Sequence, residues 1–339
     1  MATTWQPLRD LIHQHQHFLL TTHVRPDGDG LGSLRALAIA LRHLGKQVHL
    51  VYPTSLFPAR YDFLDPQREF TPFASSSPQQ REAEVIVIAD TGTWGQLGDM
   101  APFLRSSPAV KVVLDHHLTQ DDLGAWTFVD ASAEATGRLA WEVVQALGVP
   151  VTADIADALF TALAMDTGWF RHSNTSAQTF SLAADLVAAG ANPTRLYELL
   201  FERCSLGRLK LTALVLQRLS CEGSIAWSYV ARDDYSRVGA VPPDSEDLVN
   251  WTLVLQGTQV GILFLEQPGG GIKISFRSRS RVDVSRLAAE FGGGGHAAAA
   301  GAIVQGELDE VRQQVLARVE AHLQQTTPSG PSSALGVEK

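Results

Sequence analysis

Eight side chains with the chemistry of metal ligands or acid–base groups fall where apolar runs end. His23, Asp27 and Asp29 stand in "THVRPDGDGLGS" (22–33), directly after "HFLLT". Asp90 closes "VIVIAD", Asp115, His116 and His117 close "VKVVLDHH", and Asp166 closes "ADIADALFTALAMD". A single Asp after a strand is usually a turn or cap residue, and "DHH" alone is only three letters. The conjunction says more. Histidine and carboxylate gathered at one edge suit divalent metals, and two cations would relieve the repulsion between Asp27 and Asp29. The glycines between them would let the chain turn tightly.

The chemistry of such a set is phosphoryl chemistry. Two cations about 3.5–4 Å apart share a water, lower its pKa and hold it for in-line attack on phosphorus. They also neutralise charge that develops on the phosphoryl oxygens. His117, next to His116, would contact the phosphate or protonate the leaving group. Asp115 would hold a histidine in place rather than bind a metal itself.

These residues need a frame. Short β-rich runs at 18–24, 47–53, 84–90, 110–116 and 126–130 alternate with helical runs at 33–44, 134–147 and 153–165. Strands apolar on both faces and separated by helices predict an α/β domain, a mainly parallel sheet with helices on both faces. In such sheets the C-terminal strand edges line the site crevice, and at least three strands here deliver acids or histidines to it. From 175 to 220 the pattern is helical, with Asn192 as a cap and Pro193 at the first helical position of one helix.

After "CEGS" the character changes. "IAWSYVARD", "TQVGILFLEQ" and "GIKISFRSRS" read as strands, "DVSRLAAEF" as a short helix, "AAAAGAIV" as a strand and 307–324 as a last helix, a smaller α+β unit. The organisation expected is a catalytic domain over 1–190, a helical linker over 191–222, a second domain over 223–325 and a disordered Ser-, Pro- and Gly-rich tail over 326–339.

That second unit has its own distinctive stretch, "FGGGGHAAAAG" (291–301), preceded by "KISFRSRSR". Glycines let backbone N–H groups approach an anion, and in a strand Arg277, Arg279 and Arg281 share one face, with Lys273 upstream. The alternatives are a flexible glycine loop and an arginine ladder on a solvated face.

Composition narrows the partners. The 339-residue chain carries a formal net charge of -9, with 45% hydrophobic and 19% charged residues. A protein that tracks a long phosphate backbone carries a broad basic surface, so a short anionic substrate held by a few local cations is favoured. Cys204 and Cys221 form no disulfide or zinc pattern. The N-terminus lacks a signal-peptide pattern and no window approaches a membrane span, so the expected location is the cytoplasm. "HQHQH" (13–17) reads as an exposed segment, and Trp227, Tyr229 and Trp251 as strand packing rather than base-stacking surfaces.

The order of these motifs resembles the DHH phosphoesterase superfamily, which includes RecJ-type exonucleases and family II inorganic pyrophosphatases. The resemblance runs from about residue 10 to 322 through "HVRPDGDGLGS", "VIVIADTG", "LDHH", "ALAMDTGWFRHSNT" and "SFRSRSRVDVSRLAAEFGGGGHAAAAGA". Domain size and the glycine motif are closest to its oligoribonuclease and pAp-phosphatase branch, with a DHH-associated C-terminal domain.

The resemblance implies two Mn²⁺ ions in a cleft between the domains. One would be held by His23, Asp27 and Asp90, the other by Asp29, Asp90, His116 and Asp166, so that Asp90 bridges. Asp90, His116 and His117 would then carry the catalysis. In the C-terminal domain it implies that Arg277, Ser278, Arg279, Gly293, Gly294, Gly295 and His296 hold the substrate's terminal phosphate, with no choice made between the two arginines. "EATGRLA" departs from the Ser-Thr-x-Glu pattern often found there, at Gly137 and Arg138, which bears on substrate preference. The implied activity is stepwise degradation of short RNA from an end, with 3'-phosphatase activity on pAp. Hydrolysis of cyclic or linear dinucleotides at the same site, a RecJ-like exonuclease on longer strands, a pyrophosphatase and a nucleotide-binding protein without turnover are the alternatives. Relatives also form homodimers, for which the sequence shows no decisive interface pattern.

Overall fold

The computed structural model describes residues 4–267, 269–279 and 282–326. The chain divides into two compact units, Met1–Arg203 and Cys204–Lys339. The expected disordered tail lies, after Thr326, outside the described residues, as does Arg281.

The first unit contains strands β1 (His17–Thr21), β2 (Gln47–Tyr52), β3 (Phe70–Pro72), β4 (Val85–Ala89), β5 (Val110–Asp115) and β6 (Trp126–Val129). Its helices are α1 (Gln6–Gln14), α2 (Gly28–His43), α3 (Pro78–Arg81), α4 (Ala101–Ser106), α5 (Thr136–Ala146), α6 (Ala153–Asp166), α7 (Ala177–Ala188) and α8 (Pro193–Phe201). All strand pairs are parallel, in the order β3-β2-β1-β4-β5-β6. The order reverses between β1 and β4, the switch point where open α/β sheets bind ligands.

Both sheet faces are covered, as the two-sided apolar strands require. Phe18, Leu20, Val85, Val87, Val112 and Leu114 pack into one core with residues of α2, α5 and α6. Leu19, Ile86, Ile88 and Val113 point the other way, to Leu97, Met100 and Leu104. Asn192 caps α8 as predicted, its side chain accepting from Arg195 N. His13 and His17 are exposed, and His15 is half-buried beside Glu84.

Helix α2 starts at Gly28 rather than at residue 33. The Asp27 carboxylate caps it, with Oδ1 accepting from Asp29 N at 3.0 Å and Gly30 N at 3.1 Å. Glycine is a poor helix former, which hides this first turn from a propensity reading. Its glycines serve close packing rather than a tight turn. A Cβ would sit 2.4 Å from Met165 Cγ at Gly28, 2.4 Å from Thr22 Oγ1 at Gly30, and 2.4 Å from the Ala158 carbonyl oxygen at Gly32. So α2 can lie directly on α6 and on the end of β1.

The second unit contains α9 (Leu206–Gln217), β7 (Ser220–Glu222), β8 (Ile225–Val230), α10 (Arg232–Val238), β9 (Val260–Glu266), β10 (Ile272–Ser278), α11 (Val284–Glu290), β11 (Gly294–His296), β12 (Ala299–Val304) and α12 (Leu308–Thr326). Its sheet runs β11-β12-β10-β9-β8-β7, antiparallel except for β8 with β9. Ile262, Phe264, Ile274 and Phe276 pack under α11 and α12, and Leu263 and Leu265 pack under α9 and α10. Trp227 and Tyr229 pack against the first of these cores, while Trp251 is 43% exposed. The glycine run is not an open loop: Gly294 and Gly295 pair with Gly301 and Ala300 of β12. Among the described residues no helix is long and apolar enough to cross a membrane.

Candidate metal centre

Four segments converge on one cluster. His23 follows β1 and Asp27 and Asp29 start α2, while Asp90 follows β4. His116 and His117 follow β5, and Asp166 ends α6. Asp90 has a left-handed backbone, φ 64°, which Asp tolerates better than most residues. Its N–H donates to the Leu114 carbonyl at 2.9 Å, tying the ends of β4 and β5 together.

Asp90 faces two groups with its two oxygens. Oδ2 lies 3.4 Å from His23 Nε2, which is 3.8 Å from Asp27 Oδ1. Oδ1 lies 3.7 Å from His116 Nε2, which is also 3.7 Å from Asp29 Oδ2 and 3.8 Å from Asp166 Oδ2. Asp29 and Asp90 are buried, and Asp166 is less so. All six residues that the sequence marks as metal ligands are therefore brought together, as a His23–Asp27–Asp90 group and an Asp29–His116–Asp166 group, with Asp90, His116 and His117 forming a further set of the same kind.

One atom tests the fit to a cation. His116 Nδ1 lies 3.2 Å from the Ala133 carbonyl, so it carries the proton. That leaves Nε2 as an acceptor. It is buried, has no hydrogen-bond partner among the described residues, and is surrounded by three carboxylates that offer no proton when charged. A lone pair and carboxylate oxygens converging on one point form a donor set for a divalent ion.

The protonation pattern reflects the same crowding. Burial, then the Asp90, Asp166 and Asp27 charges, push the Asp29 carboxyl well above the usual range. Burial, against the attraction of His116 and with the repulsion of Asp90 and Asp27, raises Asp166 to about 6. Burial opposes charging of His23, but its hydrogen bonds to Asp27 and Asp90 win and raise it to about 10. So many carboxylates in one buried pocket cannot all stay charged without positive charge among them.

Asp115 is fully buried and is not itself a member of any of the candidate ligand groups. Its Oδ1 accepts from His116 N at 2.8 Å and contacts His117 Nδ1 at 2.8 Å, and its Oδ2 accepts from Gln120 Nε2 at 2.6 Å. The Asp115 hydrogen bond raises His117 to about 9 and so keeps it protonated. Gln120 was invisible in the sequence as a site residue. So was Asn174, whose Nδ2 reaches Asp166 Oδ2 at 3.3 Å and the Glu134 carbonyl at 3.1 Å. Arg138 pairs with buried Glu134, Nε to Oε2 at 2.6 Å and Nη2 to Oε1 at 2.6 Å.

The residues proposed for phosphate binding separate in the second unit. Arg277, Lys273 and Ser275 share one face of β10 and line a cavity of about 180 Å³ with Asp247 and Leu263. Burial lowers the Arg277 pKa. Arg279 lies beyond the strand end, and its Nη2 donates to the Leu253 carbonyl. Ser278 Oγ donates to the Val282 carbonyl at 2.6 Å and lies 3.2 Å from the Ala297 carbonyl, so it is engaged by backbone. Gly293 N donates to the Ala288 carbonyl at 2.8 Å in the turn that follows α11, so its N–H is already engaged. A Cβ on Gly293 would lie 2.1 Å from the Gly301 carbonyl oxygen, and one on Gly295 2.6 Å from that of Ala299. A Cβ on Gly294 would meet nothing within 4 Å, and His296 ends β11.

Fold and site together define an α/β protein with a carboxylate–histidine centre at the switch point of a parallel sheet. Residues 17–163 match the DHH family N-terminal domain, and residues 242–325 match the DHHA1 domain. A bifunctional oligoribonuclease and PAP phosphatase NrnA from Thermus thermophilus is 30% identical, over 90% of this chain and 89% of its own length. An exopolyphosphatase-related protein from Bacteroides fragilis has the same fold, with TM-score 0.88 and 24% identity over 94% of this chain and 97% of its own. A structure of exonuclease RecJ bound to manganese matches with TM-score 0.54 and 15% identity over 96% and 95% of the two chains. The chain belongs to the DHH family and carries its DHHA1 domain.

Proposed function

We propose that this protein is a metal-dependent phosphoesterase that shortens small oligoribonucleotides to mononucleotides from an end and removes the 3'-phosphate of pAp. The observation that carries this reading is the division of Asp90 between the two ligand groups. The first group, His23 and Asp27 with Asp90, would hold one Mn²⁺. The second, Asp29, His116 and Asp166 with Asp90, would hold the other. Two such cations supply water activation and neutralise charge on a phosphoryl group. The name of the Thermus relative supports the substrate class, and the RecJ structure bound to manganese supports the ion.

The chain's own residues do the rest. His117, protonated and fixed through Nδ1 by Asp115, presents Nε2–H as a proton donor to the leaving oxygen or a hydrogen bond to the phosphate. Arg277, which lines the cavity with Lys273 and Ser275, is the better placed of the two candidate arginines to grip a terminal phosphate, since Arg279 lies beyond the end of β10 and is not among the residues lining that cavity. A grip on one end by few cations suits a substrate of a few nucleotides.

The test is hydrolysis of end-labelled RNAs from about two to about twenty-four nucleotides with Mn²⁺, with pAp alongside. Rates falling steeply beyond about five nucleotides, with pAp cleaved, are expected. Equal or faster cleavage of the longest strands would reassign the protein to exonucleases of long single strands.

A further inference from the structure

Helix α5 lacks a cap of its own. Ala135 occupies the cap position and offers no side-chain acceptor, although the first turn of any helix leaves N–H groups without partners. A carboxylate from α2 takes them. Thr136 N donates to Asp29 Oδ2 at 2.7 Å and Gly137 N to Asp29 Oδ1 at 2.8 Å. The Thr136 hydroxyl donates to Asp90 Oδ1 at 3.0 Å. Thr136 is fully buried and Asp29 and Asp90 nearly so. One residue thus grips a carboxylate that follows β1 and another that follows β4.

We infer that Thr136 is a positioning residue for the metal centre: its hydroxyl sets the rotation of Asp90, and its backbone N–H sets that of Asp29. His23 already meets one oxygen of this carboxylate, Oδ2, and the other oxygen needs a donor of its own to stay turned toward the second group. The hydroxyl supplies that donor on Oδ1, the oxygen facing His116, and leaves Oδ2 facing His23. Gly137 makes the approach feasible. A Cβ there would lie 2.5 Å from Ala162 Cβ and 3.4 Å from Asp29 Oδ1, so any side chain would push α5 off α6 and away from Asp29.

The inference rests on the two-cation reading, and the experiment separates the two. Metal-depleted wild type, Thr136→Val and Thr136→Ser are titrated with Mn²⁺ alone by calorimetry, and each is melted without metal. The expected result is two Mn²⁺ bound by wild type and Thr136→Ser. Thr136→Val, of similar shape but without the hydroxyl, should bind at least one ion about tenfold more weakly, the scale seen when a group supporting a ligand is lost. Its kcat should fall while KM for a dinucleotide changes little. Unchanged Mn²⁺ affinity in Thr136→Val would overturn the inference, as would equal losses in Thr136→Val and Thr136→Ser, which would make the role one of packing. Should Thr136→Val not fold, Thr136→Ala against Thr136→Ser gives the same comparison. A wild type that binds fewer than two Mn²⁺ would overturn the two-cation reading itself.

Discussion

At the scale of single residues, Asp90 concentrates the most consequence. Among the described residues it is the carboxylate whose two oxygens face the two candidate ligand groups, Oδ2 toward His23 and Oδ1 toward His116. Asp90→Ala is expected to lower kcat/KM on pAp by at least about a thousandfold, since each bound cation supplies several kcal/mol of charge stabilisation. Activity within about tenfold of wild type would contradict the assignment. Arg277→Ala should raise KM for dinucleotides and pAp while leaving Mn²⁺ affinity unchanged, and Arg279→Ala should do so less. Equal, negligible effects on KM would remove the phosphate grip. The candidate ligands were legible because their chemistry is local: each is a side chain able to bind a metal at the end of an apolar run. Thr136 was not, although it stands in "EATGRLA", because a threonine near a helix start carries no metal-ligand chemistry of its own. Its meaning comes from meeting Asp29 across 107 positions of sequence.

At the scale of elements, the strands of the parallel sheet were readable from their two-sided apolar runs. β3 was not, since three residues, Phe70–Pro72, are too few to show a period. α10 was missed: the run read as strand reached Asp233, but β8 stops at Val230, and Asp234 accepts from Ala231 N at 2.7 Å to start the helix Arg232–Val238. The larger misreading was the role of glycine. In α2, and at Gly293 and Gly295 of the "GGGG" run, glycines mark places where backbone meets backbone or side chain too closely for a Cβ, whereas Gly292 and Gly294 have open space, a difference that sequence does not display. Gly32→Ala tests this. Its Cβ would strike the Ala158 carbonyl oxygen, and overpacking of this kind lowers stability by about 1–3 kcal/mol. Urea unfolding that shows no loss would mean that α2 and α6 separate easily.

At the scale of the whole molecule, charge and its placement decide the partners. With a net charge of -9, affinity for RNA must come from a few local contacts. For single strands log affinity falls with log salt by about 0.7 per neutralised phosphate. The slope of log kcat/KM for a dinucleotide should therefore be about -1 to -2, and a much steeper slope would indicate a long backbone-tracking surface. Stability has its own pH signature in the second unit. Burial opposes ionisation of Asp234, but Arg218 and the Ala231 N–H outweigh it and hold its pKa below the usual range. A depressed carboxylate stabilises the fold above its unfolded value, about 3.9, and that contribution is lost as pH falls through the lower folded value. Asp234→Asn should cost about 2 kcal/mol at pH 7, in line with charged hydrogen bonds, and should flatten the acid limb of the stability curve below about pH 4. An acid limb identical to wild type would show that the pair contributes nothing.

The most direct test of the central claim is anomalous diffraction at the manganese edge from crystals grown with Mn²⁺. Two peaks are expected, one among His23, Asp27 and Asp90 and the other among Asp29, Asp90, His116 and Asp166, with Asp90 touching both. A single peak, or two that do not share Asp90, would contradict the account.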